Sequence, residues 1–177
     1  LPPGAALARL REAAGAFRVR RLAVPLHQAL ASLAATPGNA FVLAGGGEFH
    51  LLDRPAPGLL ARAVPGDRPR AWRELDATVL HAALLPEVWQ LRDAPSRIGY
   101  LHDAQAAVGQ AEASGGSAVL MRPVEEETVR ELAERGITMP HKSTSFGPKP
   151  ASGLVLRLLG DPPLSSAPPR PQGRARR

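Results

Sequence analysis

A chain of 177 residues, with 44% hydrophobic and 21% charged residues, is long enough to bury the core of one ordinary globular domain. It contains no cysteine, which excludes a disulfide framework, and no apolar run approaches the roughly 20 residues that a membrane-spanning helix needs. The net charge is +6, but +3 of it lies in the tail over 161–177, and aromatic residues make up only 4% of the chain. We therefore expect a cytoplasmic protein that has neither specific nucleic acid nor a membrane as its partner.

The first half of the chain predicts helices separated by short strands. The predicted elements are a helix over 3–14, a strand over 17–22, a helix over 25–35, a hairpin around Gly45, Gly46 and Gly47, a loop over 55–69 and a helix over 72–85. Glycine adopts the positive φ that a tight turn requires, and a strand follows, so the triple glycine predicts a hairpin and not a phosphate loop. We expect Val42 and Leu43 of this hairpin to be largely buried.

The second half alternates strand and helix more sharply. Its predicted elements are the strand IGYLH, a helix beginning at Asp103, the strand SAVLM, a helix from Pro123 to Gly136 and a last strand over 153–159. A β-α-β-α unit of this kind favours a parallel pair with a right-handed crossover. The sequence thus predicts an α/β (α+β) domain over 1–160, with a mixed β-sheet flanked by helices, and a disordered tail rich in Pro and Arg over 161–177.

Several charged residues that resemble sites have structural explanations. The three glutamates over 125–127 lie in the first turn of a predicted helix, where the helix dipole favours acids, so we expect no metal site there. Asp103 opens a helix and is most simply its N-cap, but parallel strands also bind ligands at their carboxyl ends, so His102 and Asp103 stay candidates. The isolated His27 and His50 are expected to be ordinary surface or core residues.

Lysine occurs only twice, against twenty arginines, and both lysines lie in MPHKSTSFGPK, residues 139–149. A codon bias towards arginine explains the composition, so a retained lysine indicates a position that needs a compact ammonium and not a planar guanidinium. Lys142 and Lys149 flank Ser143 and Thr144, and two ammoniums with nearby hydroxyls can converge on phosphate or carboxylate. The alternative is an exposed loop whose lysines are only solvated.

The segment MPHKSTSFGPKPASGLVLRLL resembles the C-terminal signature of a bacterial and archaeal family, the domain of unknown function 1015. Two upstream segments, ELDATVLHAALL and IGYLHDAQAAV, are similar to two further motifs of that family. His141, Gly147 and Pro150 depart from the family pattern. Members are usually longer and carry a Gly-His-His-Arg segment similar to ParB-like and free-serine kinase proteins. The resemblance implies that this chain, which begins at Leu1, is the C-terminal part of such a protein.

The resemblance also implies a function, a nucleotide-dependent phosphotransfer to a small metabolite such as free serine. The residues that it implies as contacts of phosphate or of the substrate carboxylate are Lys142, Ser143, Thr144 and Lys149, with His81, His102 and Asp103 as secondary candidates. ATP or ADP with Mg²⁺ would be the cofactor of the full-length protein, whose N-terminal half supplies the general base and the metal ligands. This chain alone is then expected to be inactive. The alternative is a non-catalytic folding or protein-interaction module.

Overall fold

A computed structural model describes residues 1–13, 15–91, 98–140 and 143. The predicted tail over 161–177 and the predicted strand over 153–159 lie outside this part of the chain. The helices are α1 (Pro3–Glu12), α2 (Leu26–Ala34), α3 (Pro57–Ala63), α4 (Arg70–Arg73), α5 (Asp76–Val79), a π-helix (Leu80–Val88), α6 (Ala104–Ser114) and α7 (Glu126–Glu134). The strands are β1 (Arg18–Leu22), β2 (Ala40–Gly45), β3 (Glu48–Asp53) and β4 (Ala118–Leu120). None of these helices is long and apolar enough to cross a membrane.

The four strands form one sheet in the order β1-β3-β2-β4, and helices accompany it, which confirms the predicted α+β class. Every pairing between described strands is antiparallel, so the predicted parallel pair is wrong. Residues 98–101 form no strand, and Tyr100 and Leu101 are exposed there. With no neighbouring strand from that segment, β4 pairs with β2 at Val42, Leu43 and Ala44, which are all buried.

Side chains of the sheet alternate between two faces, and helices cover both. On one face, Phe41, Leu43 and Leu52 join a core that includes residues of α1, α3, α5 and the π-helix. On the other, Val42 and Leu51 pack with residues of α2 and α6. Because both faces are covered, β2 is buried along nearly its whole length, and the predicted burial of Val42 and Leu43 is confirmed.

The triple glycine forms the predicted hairpin, but its three residues are required for different structural reasons. Gly46 and Gly47 occupy the turn with φ of 62° and 75°, a conformation that suits the twist of antiparallel strands and strains other residues. Gly45 ends β2 and serves a close approach instead, since a Cβ there would lie 2.6 Å from Cγ of Pro3. The missing side chain lets the start of α1 lie against the hairpin.

Two predicted segments differ from the structure around the middle of the chain. The predicted loop over 55–69 contains α3, which starts at Pro57, has Pro at its first position and buries Leu59. The predicted helix over 72–85 is divided into α4, α5 and the π-helix, which continues to Val88. The π-helix includes Pro86, which has no N–H to donate and so cannot complete a regular α-helical ladder.

Candidate functional site

Two of the three segments that carry the family resemblance meet in the structure. His81 lies at the start of the π-helix and is half-buried. Its ring stacks on that of Tyr100, with the centroids 6.0 Å apart and the planes inclined by 25°. Tyr100 belongs to the IGYLHDAQAAV segment and is 36% exposed. The stacked pair therefore joins the ELDATVLH segment to the IGYLHD segment at the surface of the domain.

The residues that lead into the lysine segment are fixed to the same helical region. Trp72 of α4 donates from its indole Nε1 to the carbonyl of Thr138, over 3.0 Å. Thr78 of α5 donates from its hydroxyl to the carbonyl of Trp72, over 2.7 Å. Thr78 is buried and lies one helical turn before His81. Thr138 directly precedes the segment 139–149. It is therefore bonded to Trp72, which is itself bonded to Thr78 of the ELDATVLHAALL segment.

Ser143 is the one predicted contact within residues 139–149 that the structure describes. Its hydroxyl donates to the carbonyl of Pro140 over 2.7 Å, and its backbone N–H donates to the same carbonyl over 3.3 Å. Both bonds close a turn, and the hydroxyl oxygen keeps its lone pairs as acceptors. Lys142, Thr144 and Lys149 lie outside the described residues, so their contact with an anion stays a prediction.

His102 and Asp103 are exposed and stand where α6 begins. The carboxylate of Asp103 accepts from the N–H of Ala106 over 2.7 Å, which confirms the predicted N-cap. Residues 98–101 form no strand, so Asp103 does not lie at the carboxyl end of a parallel strand, which was the reason for expecting a ligand there. His102 and Asp103 stay candidates because they directly follow Tyr100 and Leu101 in the chain.

The glutamates over 125–127 stand at the start of a helix, as predicted, with Glu125 at its N-cap position. Glu126 and Glu127 lie in the first turn of α7 and pair with Arg130, at 3.2 and 3.4 Å. No group of three His, Cys, Asp or Glu side chains among the described residues could hold a metal ion.

A polar cleft that the sequence did not predict lies beside α1. We call it the α1 cleft; it has a volume of about 470 Å³, and its lining residues are Leu7, Arg11, Val19, Arg21, Glu48 and His50. Glu48 and His50 lie on β3, and Arg21 on β1 is paired directly opposite His50. Leu7 and Arg11 come from α1. The cleft therefore opens between this helix and the β1 side of the sheet.

The charges of the α1 cleft are unequal. The guanidinium of Arg21 pairs with Glu48 at 2.7 Å, and the other carboxylate oxygen of Glu48 lies 3.8 Å from Nε2 of His50. Burial lowers the pKa of His50 below its ordinary value; the charge of Glu48 opposes this shift, and the charges of Arg21 and Arg11 add to it. The neutral imidazole is therefore the main form at pH 7.

The sequence alone could place two of the polar residues of this cleft together, but not the two arginines. Glu48 and His50 are two residues apart on a predicted strand, so they must share a face of the sheet. Arg21 joins them only through the register between β1 and β3, and Arg11 only through the packing of α1. Taken as an isolated residue, His50 gave no reason to expect a site.

Comparisons of the chain with protein-family models, with curated proteins and with solved structures found no match.

Proposed function

We propose that this chain forms the anion-binding part of a nucleotide-dependent phosphotransferase that acts on a small metabolite such as free serine. Residues 139–149 would be its anion-binding loop. The observation that carries the proposal is the stacking of His81 on Tyr100, because it unites two sequence segments that the family resemblance links to the lysine loop. The hydrogen bond from Trp72 to Thr138 supports it, since it holds the residue directly before the loop to the same helical region.

Phosphoryl transfer asks for positioned positive charge more than for covalent chemistry from the protein. Lys142 and Lys149 would supply two compact ammoniums, and Ser143 and Thr144 hydroxyl groups, for phosphate or for the carboxylate of the acceptor. ATP or ADP with Mg²⁺ would be held jointly with a preceding part of the protein, which would also supply the general base.

His81 and Tyr100 would form one wall of this site. Their stacked rings, with centroids 6.0 Å apart, would limit the movement of both side chains beside the bound substrate, and such positioning contributes to catalysis.

A second candidate function is a protein-interaction module. Tyr100 and Leu101 are the exposed large hydrophobic side chains of the described residues, at 36% and 46% exposure, and they are adjacent. Aromatic and aliphatic side chains that are exposed together are typical of interaction surfaces. In this reading, the same residues would contact a partner protein and no phosphate would be transferred.

Phosphotransfer can be tested on the longest protein that contains this chain, with ATP, Mg²⁺ and L-serine, by following phosphoserine and ADP. We expect formation of phosphoserine, and a fall of at least about tenfold in kcat/KM for His81→Ala, since in this proposal that side chain forms a wall of the site. His27→Ala is the matched control, because His27 is exposed on α2. No transfer to serine or to other small hydroxy amino acids would reject the kinase and favour the interaction module.

A further inference from the structure

We propose that the α1 cleft is a second binding site, for a small oxyanion such as phosphate or a carboxylate, held by Arg11 and Arg21 over His50. The site shares no residue with the segment 139–149. It goes beyond the proposed phosphotransfer, and each can fail without the other.

The first support is the balance of charge. Two guanidiniums line the cleft, but it contains only one carboxylate, and that carboxylate is already paired with Arg21. Within the described part of the chain, Arg11 makes no ion pair with an acidic side chain. With neutral His50, the lining carries a net charge of +1, which attracts an anion and repels a cation.

The second support is the placement of the donors. Arg11 approaches from the last turn of α1, and Arg21 from β1 on the opposite side. Guanidiniums present forked N–H donors that match the paired oxygens of phosphate and carboxylate. A volume of about 470 Å³ accommodates a small phosphate or carboxylate compound.

His50 should make anion binding depend on pH, and its NMR signal can report that binding. The charged groups that face it are Arg11 from α1, Arg21 from β1 and Glu48 from its own strand, while β2 presents Leu43 opposite it. A bound anion would offset the two guanidiniums and raise the pKa of His50. Bound protein would therefore take up a proton, and affinity for a carboxylate such as acetate, whose charge is constant in this range, should increase as the pH falls from about 8 to about 6.

The test follows the imidazole signals of the protein by NMR in a pH titration, with His50→Gln identifying the signal of His50. Inorganic phosphate and acetate are added separately, against sodium chloride of equal ionic strength. We expect phosphate to move the midpoint of His50 upward by about 0.5 to 1 pH unit, as a nearby opposite charge does. An equal shift with acetate indicates a general oxyanion site, and a shift with phosphate alone a phosphate site.

The variants decide whether the cleft binds the anion. Arg11→Gln combined with Arg21→Gln should abolish the shift and weaken phosphate binding at least about tenfold. The control, Arg62→Gln combined with Arg135→Gln, removes the same charge from exposed positions on α3 and just after α7, and it should behave as wild type. If circular dichroism shows that the double variant is unfolded, the single variants Arg11→Gln and Arg21→Gln replace it. Each single variant should bind phosphate more weakly than wild type.

Two results would overturn the proposal. One is an equal shift of His50 in chloride. The other is a shift that is unchanged in the Arg11 and Arg21 variants; if Lys142→Arg then removes that shift, the anion binds to the segment 139–149 instead.

Discussion

Single arginines hold distant parts of this protein together in a way that lysine could not. Arg122, which follows β4, donates from Nε and Nη2 to the carboxylate of Asp76 at 2.8 to 3.0 Å. Its Nη1 donates to the carbonyl of Thr36 over 2.8 Å, and Nη2 also reaches the carbonyl of Gly38. One planar fork thus joins α5 to the end of α2. Arginine therefore has a structural role that needs its planar shape, and the two lysines of the chain are exceptions to this use of arginine.

Arg122→Lys keeps the charge but loses the fork. We expect the free energy of unfolding to fall by about 1–3 kcal/mol, because several hydrogen bonds to a nearly buried carboxylate are lost together. Urea unfolding measures the loss, and Arg62→Lys, at an exposed position, is the control with an expected change within about 0.5 kcal/mol. Equal stability of Arg122→Lys and wild type would show that charge alone suffices.

Asp53 makes the stability depend on acid. Its side chain is 1% exposed and accepts hydrogen bonds from Arg18, one over 2.6 Å, and from Arg20 over 3.3 Å. The hydrogen bond from Arg18 lowers the pKa of Asp53 below its ordinary value, although burial opposes the shift. The stabilisation is therefore complete above the unfolded pKa of about 3.9 and is lost as the pH falls through the lower folded pKa.

Asp53→Asn should lower the free energy of unfolding at pH 7 by about 1.5–3 kcal/mol, the range for hydrogen bonds to a charged group. The difference between variant and wild type should shrink as the pH falls below about 4, since the wild-type carboxylate is then protonated. Urea unfolding at pH 7, 4 and 3 gives this comparison, with the exposed Asp67→Asn as control. A difference that does not change with pH would mean that the ion pair contributes no stability.

At the scale of elements, glycine has opposite effects in the hairpin and in a helix. Gly47 has φ of 75° in the turn, whereas Gly109 lies inside α6 with open space where a Cβ would be. Gly47→Ala should destabilise the protein by about 1 kcal/mol, because alanine is strained at positive φ. Gly109→Ala should stabilise it by about 0.5–1 kcal/mol, because alanine favours the helix. Thermal unfolding of both variants tests this; equal signs would contradict the assigned backbone conformations.

Elements with local signals were predicted well. The hairpin follows from the triple glycine between two apolar runs, and the N-cap at Asp103 from its place before an alanine-rich helix. The prediction of a parallel pair depended on which strand lies beside β4. Tertiary packing determines that neighbour, and no local sequence pattern specifies it. Pro57 and Gly58 predict a loop over 55–69, but proline is also favoured in the first turn of a helix, and α3 starts there and buries Leu59.

The whole molecule brings together what the sequence could only suggest. The stacking of His81 on Tyr100 joins two motifs that are separate in the chain, and Trp72 holds the start of the third. The α1 cleft shows the opposite case, because Arg11, Arg21 and His50 meet only through packing and register. The proposed anion-binding loop rests on sequence motifs, whereas the α1 cleft can be recognised only in the folded sheet.

The most direct test of the anion-binding loop is the thermal stability of the longest protein containing this chain, with and without ATP, ADP or phosphoserine. The Arg11→Gln and Arg21→Gln changes are made throughout, so that the α1 cleft cannot contribute. We expect a ligand in hundredfold excess over its Kd to stabilise the protein by about 2.7 kcal/mol, and Lys142→Arg and Lys149→Arg to lose this effect, whereas Arg62→Lys keeps it. Stabilisation that is absent at every ligand concentration, or unchanged in Lys142→Arg, would contradict the proposed loop.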